Sequence, residues 1–273
     1  MSVRTRRSPS GVRTAVAIVF LAVMLFPLYW MLNISLQSSG GTLATSLFPI
    51  NPSLDGYRLA IADQGQNLIT SMTIAIGTVV LTLLVSAPAA YALAQFRFRW
   101  INWALLAILI SQMIPGIVIA NGLYSFYERI GLLDSIPGLI IANSASGVPF
   151  GILILRSFML GIPPSLVEAA RVDGAGLVRA FLSIVVPISR NSLITVGLFT
   201  FIFAWGDFLF ALTLTSKGEI VPVTLGIYTY LGAHISNWSA VMATAMLAAV
   251  PAIILLVVAQ KYISAGVNSG AVK

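Results

Sequence analysis

The chain carries few side chains able to break bonds. Its 273 residues include no cysteine, one histidine (His234) and eight acids. Lacking thiols, it has no disulfides, thiolate nucleophiles or Cys-ligated metal sites. A lone histidine cannot make a metal site, and near Trp238 an interfacial surface role suffices for it. Chemistry inside a membrane needs a nucleophile with its base, or a metal, and this inventory assembles neither. No G-x-x-x-x-G-K-S/T phosphate loop occurs, so the chain does not bind and hydrolyse ATP itself. One acid, Asp207, lies inside an apolar run, crowded by Phe201, Phe203, Trp205, Phe208 and Phe210. A charge at mid-bilayer costs about 2.5–3.5 kcal/mol on insertion scales, so Asp207 must face protein or water. It admits two readings. One is a packing hydrogen bond or a protonated carboxyl; the other is a hydrogen bond to a solute in a pathway, with Trp205 and Phe208 offering aromatic faces.

The second informative stretch is IPPSLVEAARVDGAGLVRAFLSIVVP, residues 162–187, of mixed polarity between two apolar runs. Pro163 and Pro164 end the preceding element. Ser165 and Glu168 have capping-box spacing, so each side chain is expected to bond the other's backbone N–H. A short helix through Ala169, Ala170, Arg171 and Asp173 should end at Gly174 in a left-handed conformation. A second short helix is expected over 176–185, with Leu177, Phe181 and Ile184 forming an apolar ridge and Pro187 stopping it. Such a ridge cannot bury itself; it should enter a partner's groove or lie on the membrane surface. Glu168 serves as a cap in one reading and as a docking group in the other.

The remaining chain must position these residues, and its composition says how. Hydrophobic residues make up 58%, charged residues 8%, and mean hydropathy is +0.97. A soluble domain has about 25% charged residues, so an ordinary water-soluble globule is excluded, and so is disorder. Crossing a bilayer takes about 20 apolar residues as a helix. Six runs qualify, at roughly 14–36, 68–95, 103–125, 138–160, 191–214 and 239–262. They are continuous rather than alternating, which reads as helices and not barrel strands. The first exceeds a signal peptide's apolar region and is read as retained.

The net charge of +7 is topological. Arg4, Arg6, Arg7, Arg13, Arg97, Arg99, Arg156, Arg171, Arg179, Arg190, Lys261 and Lys273 fall on one side; Arg58, Arg129 and Lys217 fall on the other. The positive-inside rule puts both termini in the cytoplasm, and no nucleic-acid partner is implied. The expected fold is an all-α polytopic membrane helix bundle with six transmembrane helices. A basic cytoplasmic tail, 1–13, precedes a membrane domain, 14–262, and a cytoplasmic tail, 263–273, follows it. Outer loops are expected at about 37–67, 126–137 and 215–238. Pro27, Pro88, Pro115, Pro149 and Pro251 sit in or near spans and shape the helices for packing.

Glu168-Ala169-Ala170, three residues, Gly174, nine residues, Ile184, then Val186-Pro187 resembles the EAA loop of ABC-importer permeases. The family pattern usually has Leu before the final Pro, where this chain has Val186. Asp173-Gly174-Ala175 is similar to the sugar-importer branch. Ala89-Ala90-Tyr91-Ala92, Gly131-Leu132-Leu133-Asp134, Leu155-Arg156-Ser157-Phe158 and Trp205-Gly206-Asp207-Phe208 agree, and the tail from Gly266 resembles that of the maltose-type six-span subunit. Gln95 stands where the family usually has Arg.

The resemblance implies a type I ABC importer permease fold in the cytoplasmic membrane of a prokaryote. It implies a non-catalytic subunit that works with a second permease subunit, two ATPase subunits holding the ATP and Mg, and an external substrate-binding protein. Its solute would be a disaccharide, oligosaccharide, polyol or sugar phosphate. Residues 168–170, 173, 174, 177, 181, 184 and 187 would couple to the ATPase. The alternative is an ion-coupled secondary transporter, which usually needs mid-membrane ionisable groups and related halves. Asp207 alone, with no visible inverted repeat, is what supports it.

Overall fold

A computed structural model of the chain describes residues 11–38, 46–49, 51–96, 99–233 and 237–270. Arg4, Arg6, Arg7, Arg97, His234 and Lys273 lie outside the described residues, as do the side chains of 12, 229–233, 259 and 261–270. Among the described residues the regular structure is helical, apart from one isolated antiparallel bridge between Gln37 and Pro52. In order come α1 (Gly11–Ser35), α2 (Asp55–Gln95), α3 (Ile101–Ser111), α4 (Gly116–Ile130), α5 (Ile136–Met159), α6 (Pro164–Val172) and α7 (Leu177–Ala180). A π-helical turn, Phe181–Val185, leads into α8 (Val186–Ile188), α9 (Arg190–Trp205), α10 (Leu209–Leu214), α11 (Val223–Ala233) and α12 (Trp238–Gly270).

Four helices (α1, α2, α5 and α12) are long and apolar enough to cross a membrane. Two bent pairs raise the number to six if each pair is one span: α3 with α4, bent by 93°, and residues 177–188 with α9, bent by 79°. Several expected boundaries move. The first outer loop turns helical at Asp55, where Ser53 Oγ accepts the Asp55 N–H at 3.0 Å. The 41 residues of α2 amount to about 60 Å of helix at 1.5 Å per residue, twice a hydrocarbon core of about 30 Å. The expected continuous helix over 103–125 breaks at 112–115. There the backbone tightens into three-residue bonds (Gln112 N–H to Leu109 O, Met113 N–H to Ile110 O), and Pro115 restarts the helix from an extended conformation. The expected helix over 191–214 breaks at Gly206–Phe208. The expected loop 215–238 contains α11, and α12 runs past 262.

The contacts divide the chain into two units. One comprises residues up to Asp63 with Thr229–Ala249. In it α1 has no apolar stripe: Val16, Phe20 and Leu25 are all exposed, and only its last turn, Asn33 to Ser35, is buried. A helix hydrophobic all round suits hydrocarbon. Ser35 ties the unit together: its Oγ lies 2.9 Å from Tyr57 OH, and its carbonyl accepts from Ser239 Oγ at 3.3 Å.

The second unit comprises Gln64–Tyr228 with the chain from Val250. It holds two apolar cores. One gathers Ala90, Tyr91, Leu155, Met159, Val167, Ala180, Val185 and Val196 from α2, α5, α6, residues 177–185 and α9. The other gathers Ile74, Ala120, Tyr127, Leu139, Phe210 and Leu214 from α2, α4, α5 and α10. Between them α2 and α5 meet through small residues. A Cβ on Gly147 would lie 2.7 Å from Thr82 Oγ1; one on Gly151 would lie 2.7 Å from Ser86 Oγ and 3.2 Å from Val196 Cγ1. Close backbone approach of this kind drives helix association in lipid, where apolar transfer cannot.

Candidate functional site

The stretch 162–188 folds as a short helical hairpin, but not with the expected cap. Pro163 is extended and Pro164 takes the first helical position of α6, so no side chain caps this end. Proline is preorganised there and has no N–H to satisfy. Ser165 is thereby moved inside the helix, and the Ser165–Glu168 capping box does not form; Glu168 is exposed. The other end follows the expectation. Gly174 sits at φ +88°, its N–H donates to Arg171 O at 3.0 Å, and the Ala175 N–H donates to Ala170 O at 2.9 Å. These two bonds make a complete Schellman motif, with Asp173 as the last capping residue.

Pro187 does not stop the second helix, which continues to Ile188. The π turn explains why. Within it the Val186 N–H bonds back to Phe181 O, five residues away. The wider turn accommodates the proline ring, which in a regular α-helix would press on the carbonyl four residues earlier.

Packing also redraws the apolar ridge. Phe181 and Ile184 are half-buried, and Phe181 leans on Tyr91 at 5.3 Å between ring centroids. Leu177 remains outward, joined by Val178, Leu182 and Val172, the last 88% exposed. The turn from α7 into the π segment points Ala180 and Val185 into the core instead. The exposed face is therefore Leu177, Val178 and Leu182, flanked by Val172.

One polar clamp fixes the hairpin to the bundle, and a second joins α5 to α2. Gln95 Nε2 donates to Met159 O at 2.9 Å and Ile162 O at 3.1 Å, gripping the chain just before α6. Arg156 Nε donates to Leu93 O at 3.1 Å. Glu168, Arg171, Tyr91 and Gln95 line one small cleft of about 120 Å³. Ala169 is exposed and Ala170 half-buried.

A second site forms where the apolar helices are interrupted. Asp207 sits in the break before α10 and accepts the N–H groups of Phe210 and Ala211, each at 3.2 Å, so it caps the start of that helix. Thr224 Oγ1 donates to the Asp207 carbonyl at 2.6 Å. Asp207 also lines a cavity of about 290 Å³ with Gln112, Asn143, Ser146, Phe150, Thr200, Phe203 and Phe210, and the Asn143 side chain hydrogen-bonds its carboxyl. Trp205 stacks on Phe201 at 5.7 Å, and Phe208 packs edge-on against Tyr228 at 5.3 Å, so neither of these aromatics faces Asp207's cavity. Of the aromatics that do line it, Phe203 and Phe210 are among those the sequence crowds around Asp207, whereas Phe150 was not singled out. The usable signal was a polar residue inside an apolar run a few positions before a proline: Gln112 before Pro115, where the helix breaks, and Asn143 and Ser146 before Pro149, which α5 carries without a break.

On the opposite end of α10, Asp134 at φ 51° clamps the following loop. Its carboxylate accepts the N–H groups of Ser216 at 2.7 Å and Lys217 at 2.8 Å, and its own N–H donates to Leu214 O. The Lys217 N–H, more than any other contact, holds the Asp134 carboxyl below the usual carboxylate range.

Comparison with known proteins agrees with this architecture. The trehalose transport system permease protein SugB of Mycobacterium tuberculosis is 32% identical over 253 residues, covering 91% of this chain and 92% of its own. The melibiose/raffinose/stachyose import permease protein MelC of Bacillus subtilis is 31% identical over 264 residues, covering 95% of each. Among solved structures, a bacterial ABC transporter that imports the acidic polysaccharide alginate shares the fold, with a TM-score of 0.80 at 23% identity over 96% of this chain and 99% of that one. A family model described as binding-protein-dependent transport system inner membrane component matches residues 86–269. That range takes in the hairpin, both helix breaks and the Asp207 cavity, and the chain belongs to this family of membrane transport components.

Proposed function

We propose that this chain is a permease subunit of a sugar-importing ABC transporter, and that α6 to α8 is the lever through which a separate ATPase moves it. The observation that carries the reading is the hairpin: closed by a full Schellman motif, clamped by Gln95, and presenting Glu168 beside exposed Val172, Leu177, Val178 and Leu182. An apolar face that the chain leaves uncovered fits the groove of a partner. The sugar specificity of SugB and MelC supports the solute class.

In this reading there are six spans, α3 with α4 forming one and α9 crossing while residues 177–188 stay outside with the hairpin; both termini and the hairpin lie on the cytoplasmic side, as the distribution of basic residues favours. The functional complex adds a second permease subunit, two ATPase subunits that hold ATP and Mg, and an external binding protein. Residues 168–170, 173, 174, 177, 181, 184 and 187 form or support the lever.

The test is Glu168→Ala in the assembled complex. Glu168 is exposed and caps nothing, so the variant should assemble normally while ATP hydrolysis ceases to drive uptake. Undiminished uptake would remove the hairpin from the mechanism. Purification in mild detergent with no ATPase subunit, or uptake that survives ATP depletion, would refute the transporter class itself.

A further inference from the structure

We infer that the Asp207 cavity is a subsite for one ring of an uncharged sugar, so that this chain touches the solute directly; the inference rests on the proposed transport function. Three observations point there. Thr200 is 2% exposed, lines the cavity, and its Oγ1 has no hydrogen-bond partner among the described residues. A buried hydroxyl left unpaired is costly, and a solute hydroxyl would satisfy it once the Thr200 side chain turned its Oγ1 to the cavity surface. Gln112, Asn143 and Ser146 add amide and hydroxyl groups that both donate and accept. Phe150 and Phe203, edge to face at 6.3 Å, present ring surface, and Phe203 is 67% exposed. Carbohydrate recognition requires this pairing of polar groups with flat apolar faces.

Size and charge narrow the ligand. At about 30 Å³ of liquid volume per water, a cavity of about 290 Å³ displaces about ten waters, enough for a single hexose ring. Among the described residues lining it there is no Lys, Arg or His. A sulfonated, phosphorylated or uronic sugar would enter without a counter-charge and beside an acid, at a desolvation cost that nothing returns. The cavity therefore selects neutral rings. A larger groove of about 540 Å³ between α2, α9 and α12 is lined by side chains such as Met72, Ile76, Phe201 and Leu255 and offers a hydroxylated solute no polar partner.

The absence of cysteine makes a clean test possible. Ser146→Cys is introduced, the complete transporter is reconstituted, and modification of this chain by a small maleimide is followed by mass. A panel of maltose, trehalose and melibiose should slow labelling, whereas glucose 6-phosphate should not. Thr200→Val in the same background should raise the half-protecting concentration roughly two- to ten-fold, as loss of one hydrogen bond implies. Equal labelling with and without sugar, or equal protection by neutral and anionic sugars, would overturn the subsite. Gln112→Cys, also in the cavity lining, is the second reporter, and if neither cysteine is labelled the cavity is closed to solutes and the inference falls. ATP-dependent sugar uptake by the unmodified complex is measured alongside: if it persists while protection fails, only the subsite is lost, and if it is absent for every sugar, the transport reading is lost as well.

Discussion

Gly174 offers the sharpest test of the hairpin's construction, because its role is purely conformational. An added Cβ would meet no heavy atom within 4 Å, so a substitution creates no clash with neighbours. The backbone, however, sits at φ +88°, where an L-residue with a Cβ pays about 1–2 kcal/mol. Gly174→Ala should therefore open the Schellman motif about five- to thirty-fold more often. Gly176→Ala is the matched control, two residues on: it also has open space around it, but its φ is −66° and its ψ 166°. That change should be neutral or stabilise by up to about 1 kcal/mol, through the unfolded chain alone. Gly174→Asn should fall between the two, since Asn tolerates the left-handed region. The assay is amide hydrogen exchange at residues 174 and 175, whose N–H groups close the motif on Arg171 and Ala170, in the assembled complex. Identical exchange in the 174 and 176 alanine variants would refute the reasoning, because both substitutions add the same atom in equally open space.

Two further outcomes test other parts of the fold. Gly151→Ala forces a methyl against Ser86 and Val196 where α2, α5 and α9 meet and should cost about 1–3 kcal/mol; thermal unfolding reads it, with the open Gly122→Ala as a neutral control. The Asp134 carboxyl titrates below its ordinary value, about 3.9, mainly because the Lys217 N–H bonds its ionised form. Its contribution is therefore fully present above that value and is lost as pH falls through the lower, folded one. Exchange at Ser216 and Lys217, corrected for intrinsic rate, should stay slow at neutral pH and rise from about pH 4 downward; Asp134→Ala should be fast at every pH, and a flat profile in the native chain would refute the clamp.

Much of this architecture could be read from the residues. The long apolar runs announce themselves by length alone, and Gly174 was identifiable because few other residues end a helix in a left-handed turn. The interruptions were hidden. Ile114-Pro115 and Gly206-Asp207-Phe208 lie in runs whose average polarity is that of a single span, and an average does not register a bend. The capping box failed for a local reason: Ser165 and Glu168 have the right spacing, but Pro164 already occupies the first position of α6. The cavity was hidden because Gln112, Asn143 and Thr200 are far apart in sequence, and only the helix breaks and the packing of α5 against α3 and α9 bring them together. Trp205 and Phe208 adjoin Asp207 in sequence, yet the break at Gly206–Phe208 separates their directions, and both side chains pack on other aromatic rings.

The wide turn at Phe181–Val185 leaves the chain with a one-residue surplus between Gly176 and Ser189. Leu177 and Val178 upstream and Pro187 downstream are therefore out of phase by about 100°, one residue's rotation in an ordinary helix. Taking out a single residue there, Ser183 for example, would let the segment wind evenly and swing the upstream face around the axis without altering any side chain on it. The orientation of that face is thus encoded by how many residues separate the two ends, a property that point substitutions leave untouched and that a one-codon deletion would change at a stroke.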